Sequence, residues 1–111
     1  MGVWVRICSA NDVPIGQVRG FHIEILSFPV LVAQVEAGRF LAASSVCPHE
    51  DISLVGGELR GAVITCPGHG YEFDLMSGQC AHDAGLRLRL FPVRLSDDVL
   101  YVNIDLHRQV S

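Results

Sequence analysis

Leu86, Leu88 and Leu90 alternate with Arg87 and Arg89, a period-two pattern that turns the leucines toward a core and the arginines toward water. Short apolar runs bounded by turn residues recur along the chain and predict strands over residues 3–8, 21–26, 30–35, 40–43, 62–65, 86–91 and 99–104. Glu36-Ala37-Gly38 and Ser96-Asp97-Asp98 read as hairpin turns. Apolar positions nowhere sustain a 3.6-residue period, and repeats and low-complexity tracts are absent. The pattern predicts an all-β chain built as an antiparallel sandwich or barrel.

With 111 residues, the chain has room for one domain and one modest core, but not for a second catalytic domain. A formal charge of −4 and the lack of a Lys/Arg cluster argue against nucleic acid. The acidic balance suits docking onto a basic patch of a protein partner, and it also serves solubility alone. Met1-Gly2-Val3-Trp4-Val5-Arg6 lacks a signal-peptide apolar region, and Arg6 stands where a myristoylation motif needs Ser or Thr. The longest apolar stretch, residues 25–35, is interrupted by Ser27, Pro29 and Gln34 and is too short to cross a bilayer as a helix. The sequence therefore predicts a soluble, cytoplasmic monomer without a membrane partner.

Chemistry enters with Cys47-Pro48-His49 and Cys66-Pro67-Gly68-His69, which together spell C-x-H-x16-C-x2-H. Two thiolates and two imidazoles at this spacing point to a metal centre. Soft thiolates suit iron–sulfur clusters and imidazole suits several first-row metals, so the mixed set narrows the metal without fixing it. Zinc is the rival, although structural zinc sites usually pair like residues as C-x2-4-C and H-x3-5-H. Pro and Gly flank both pairs, which fits ligands carried on tight loops at hairpin ends.

A third pair, Cys80-Ala81-His82, is also C-x-H but lacks the Cys-Pro start of the other two, and it is read as a decoy. Cys80 and Cys8 are expected to be buried thiols. His22 and His107 stand outside every motif and are assigned solvated or core roles. With two of the four cysteines committed to a metal, a reducing compartment follows.

These residues resemble a family. Cys47-Pro48-His49, Gly56-Gly57, Val63 through Gly70, Phe73-Asp74 and Ser77-Gly78 are similar to the motifs of Rieske ferredoxins over most of residues 44–104. In such [2Fe–2S] centres two Cys hold one iron and two His hold the other. The resemblance implies one cluster per chain, with Cys47 and Cys66 on the buried iron and His49 and His69 at the surface. It also implies a Rieske-like architecture across residues 1–111, in which a cluster-binding subdomain of about residues 44–85 is inserted in a β base.

Respiratory Rieske proteins add a Cys to each ligand loop and join the two in a disulfide; the matching positions here are Ile52 and Gly68. They also place a Ser and a Tyr hydroxyl near the cluster, where this chain has Tyr71 and Phe73. Hydrogen bonds to sulfur stabilise the added electron, so their loss implies a potential near the low end of the Rieske range, about −150 mV. A Pro usual in the third loop of the family is missing from Asp83-Ala84-Gly85-Leu86-Arg87.

The resemblance thus implies a one-electron carrier with no substrate chemistry of its own. It would link an NAD(P)H-dependent flavoprotein reductase to a terminal oxygenase, with an aromatic-ring dioxygenase as the leading acceptor and a diiron monooxygenase as the alternative. A Rieske-like small subunit of a nitrite reductase is the reading from a different class, and a zinc-stabilised interaction module is the third.

Overall fold

A computed structural model describes residues 2–49, 52–68 and 70–105. Its strands are β1 (Gly2–Ser9), β2 (Val18–Phe21), β3 (Val30–Glu36), β4 (Arg39–Ser44), β5 (Glu58–Arg60), β6 (Val63–Thr65), β7 (Glu72–Asp74), β8 (Leu90–Phe91), β9 (Val93–Ser96) and β10 (Val99–Asp105). They pair antiparallel in three sheets, ordered β1-β10-β9, β2-β3-β4-β8 and β5-β6-β7. The third sheet lies in sequence between β4 and β8. Among the described residues the helical pieces are two single 3-10 turns, Ala10–Asp12 and Leu54–Gly56.

The hydrophobic interior is divided in two, and β3 is the dividing wall. Val30 and Val32 pack into a first core with Val13, Phe91, Leu100, Val102 and Ile104. Leu31 and Ala33 face the other way, into a second core with Leu54, Ile64, Phe73, Leu75 and Leu88. Strand β4 divides in the same manner, with Ala42 in the first core and Ala43 in the second. A strand covered on both faces reads as a continuous apolar run rather than an alternation, which is why Val30-Leu31-Val32-Ala33 shows no period of two. Gln34 ends that run as a buried polar group with both ends of its amide bonded: its Nε2 donates to the Val13 carbonyl and its Oε1 accepts from the Gly38 N–H.

Both expected hairpin turns form. Gly38 adopts a φ of 75° between β3 and β4. Asp97 and Asp98 adopt φ values of 50° and 64° between β9 and β10, the double left-handed conformation that a two-residue hairpin turn of type I′ demands and that Asp tolerates.

Two expected strands are corrected. Of residues 21–26, only Phe21 is in a strand: the Leu26 N–H donates to the Ile23 carbonyl at 3.0 Å, closing a turn. Ile23 and Leu26 are core residues all the same, spaced three apart as a turn places them. Of residues 86–91, only Leu90–Phe91 forms a strand. The preceding backbone spreads its hydrogen bonds over separate partners, with Arg87 bridging Gln79, Leu88 donating to Gly78 and Arg89 accepting from Ser44, so no continuous ladder forms. The inward leucine of that alternation is confirmed at Leu88, which is buried.

Candidate metal centre

Two loops at the ends of β4 and β6 are built alike. The Cys47 N–H donates to the Ile52 carbonyl at 3.0 Å, and the Cys66 N–H donates to the Tyr71 carbonyl at 2.7 Å. Each cysteine thus closes its loop onto the residue five positions later. Loop one is tightened below Cys47 by the Leu54 N–H on the Ser45 carbonyl and by the Val46 N–H on Ser44 Oγ. Loop two is tightened by the Gly70 N–H on the Cys66 carbonyl, with Gly70 at a φ of 76°, a conformation glycine adopts without the Cβ penalty.

Cys47 and Cys66 are almost sealed from solvent, at 2% and 1% exposure, and both belong to the second core. His49, two residues after Cys47, is exposed. Its imidazole stacks on the Tyr71 ring, with centroids 4.0 Å apart and planes 20° apart. His82 also approaches Tyr71, at 5.6 Å between centroids with the rings tilted by 38°, and its Nε2 is 3.5 Å from Glu72 Oε1. The fourth predicted ligand, His69, and the acidic pair Glu50 and Asp51 lie outside the described residues. Among the described residues no three His, Cys, Asp or Glu side chains converge to hold a metal ion.

The other predicted thiols fall where expected. Cys8 and Cys80 are buried, in the first and second core respectively, and no disulfide joins any of the four cysteines. Burial, reinforced by the Asp12 carboxylate and partly offset by Arg6, pushes the Cys8 thiol up to about 11. His22 is exposed, and His107 lies outside the described residues. No helix among the described residues is long and apolar enough to cross a membrane.

The Rieske [2Fe-2S] domain model matches residues 3–92. The chain belongs to the Rieske [2Fe-2S] domain family. This Rieske domain is 32% identical over 101 residues to ferredoxin CarAc of Metapseudomonas resinovorans, which covers 90% of this chain and 92% of the relative. It is also 32% identical over 93 residues to the ferredoxin component of the alkene monooxygenase system of Xanthobacter autotrophicus, covering 83% of this chain and 74% of that one. Among solved structures, the complex of reduced oxygenase and oxidized ferredoxin in carbazole 1,9a-dioxygenase contains a chain that matches with a TM-score of 0.82 at 32% identity, over 90% of this chain and 92% of that chain.

A Rieske-type [2Fe–2S] cluster is the cofactor of this domain. The residues present suit it: two thiols lie sealed among Leu54, Ile64, Phe73 and Leu75, while an imidazole beside them faces solvent. That asymmetry matches the unequal iron environments of the cluster type. The stack of Tyr71 on His49 and the approach of His82 carry no local sequence signal, because the rings come from three separate segments. An open groove of about 640 Å³, lined by Arg87, Arg89, Phe91 and Asn103 among others, includes none of these residues.

Proposed function

We propose that this Rieske domain is a one-electron carrier in which Cys47 and Cys66 hold one iron of the cluster and His49 and His69 the other. The cluster supplies a single electron that it takes up and gives on; the protein seals its thiolate side and leaves an imidazole edge open. The domain accepts electrons from an NAD(P)H-dependent flavoprotein reductase and delivers them to a terminal oxygenase, with an aromatic-ring dioxygenase as the leading acceptor. One observation carries the reading: similarity extends over nine-tenths of this chain and of ferredoxin CarAc, and likewise of a chain in the solved complex of reduced oxygenase and oxidized ferredoxin. The likeness to the alkene monooxygenase ferredoxin supports a monooxygenase as the second candidate acceptor. Four cysteines outside any disulfide support a reducing, cytoplasmic setting.

Reduced-state EPR of the purified protein, followed by reconstitution with a flavoprotein reductase and candidate oxygenases, tests this. A Rieske-type signal and ferredoxin-dependent turnover with a ring dioxygenase are expected. A colourless protein holding zinc would overturn the carrier role, and turnover with a monooxygenase alone would change the acceptor.

A further inference from the structure

Tyr71 belongs to both ligand loops at once. Its carbonyl accepts from the Cys66 N–H at 2.7 Å, which closes loop two, while its ring lies flat on His49 of loop one. The segment that follows has its own backbone ladder on β7: the Asp74 N–H donates to the Gln79 carbonyl, Phe73 bridges Cys80, and the Ala81 N–H donates to the Glu72 carbonyl at 2.9 Å. Cys80 anchors that segment by burial in the second core. Two residues after Cys80 comes His82, which is thereby brought beside the Tyr71 ring at 5.6 Å between centroids, with Glu72 next to it.

We infer that Tyr71 is a positioning residue that fixes the plane of the His49 ring, and that His82, held by Glu72, is the buttress that keeps Tyr71 in place. The inference rests on the reading of His49 as a cluster ligand. It gives the Cys80-Ala81-His82 motif a role other than ligation: Cys80 fastens the segment inside, and His82 packs at a tilt against Tyr71. A bond from one imidazole nitrogen to iron would still let the ring plane tilt about that bond, and an aromatic face packed against the imidazole limits the tilt. An imidazole at the edge of a redox centre passes electrons best when its orientation is fixed in advance.

The test uses the cluster-loaded protein and reads the nitrogen hyperfine couplings of the reduced centre by pulsed EPR, together with the rate of electron delivery to the oxygenase. Tyr71→Phe keeps the ring and should match the parent. Tyr71→Leu should alter one imidazole's couplings and slow delivery at least tenfold. His82→Ala should shift the same imidazole's couplings in the same direction by less, and His82→Phe should restore them. Should Tyr71→Leu fail to take up the cluster, the His82 pair decides, because it leaves Tyr71 and both loops intact. Parental couplings in Tyr71→Leu, or in His82→Ala, would overturn the inference while leaving the carrier role standing. A parent without a Rieske signal would remove both.

Discussion

Gly57 and Thr65 meet across the root of the two ligand loops: a Cβ on Gly57 would overlap the Thr65 carbonyl oxygen. The backbone of Gly57 is extended, with φ −81° and ψ 171°, so it is the missing side chain, not an unusual torsion, that the position requires. Gly56 beside it has open space where its Cβ would be. Gly57→Ala should therefore destabilise the domain by about 2 kcal/mol, a fall in Tm on the order of 10 °C, whereas Gly56→Ala should change little. Thermal melts of the two variants by circular dichroism check the contrast.

Ligation is tested by removing thiols singly. Cys47→Ser and Cys66→Ser should abolish the visible absorption of the cluster, whereas Cys80→Ser should keep it. Survival of the colour in Cys47→Ser with its loss in Cys80→Ser would reverse the assignment.

The buried Cys8 thiol gives the fold an alkaline weakness. Its value of about 11 lies above the 9.0 of an unperturbed thiol, so between those pH values the folded state holds a proton that the unfolded state has released. Stability from this group is complete below pH 9 and declines as pH rises through 11. Denaturant melts at pH 8 and pH 10.5 should show a loss that Cys8→Ala lacks.

Electron delivery should weaken as salt rises, because a carrier of charge −4 loses its steering toward a basic dock once the Debye length shrinks to ~10 Å near 0.1 M. Glu50 and Asp51 follow His49 directly in sequence and are the expected contacts. A Glu50→Gln/Asp51→Asn variant should be slower at low salt and less salt-sensitive; a rate and salt response equal to the parent's would remove the role.

Phe73 is fully buried in the second core beside the sealed cysteines and brings no hydroxyl there. Without that donor the midpoint potential should lie near the low end for Rieske centres, about −150 mV. Protein-film voltammetry reads it directly, and Phe73→Tyr should raise it.

How far the fold was legible depended on how long each pairing is. Strands β1, β3, β4 and β10 carry six to eight residues each and announce themselves in the apolar pattern. Strands β5 and β7 have three residues each, and β9 turns exposed residues outward along most of its length. Their place is set by neighbours, so the sequence pattern passed over them. At the site, Cys47 and Cys66 stood out in the sequence because a metal-ligand reading demands particular atoms at particular spacing, and the structure buries both. His82 looked like a stray member of a repeated pair, since its partner Tyr71 is reached through the ladder between β7 and residues 79–81, a relationship that no local window contains.

The wall formed by β3 and β4 also sets what can be taken away from this protein. Trimming the inserted β5-β6-β7 sheet to leave a minimal scaffold would bare Leu31, Ala33 and Ala43 to water, and trimming the β1-β10-β9 sheet would bare Val30, Val32 and Ala42. Neither half keeps its own lining. The molecule is a party wall with a room on each side, and a designer wishing to transplant the redox tip must carry the wall and a covering for its far face along with it.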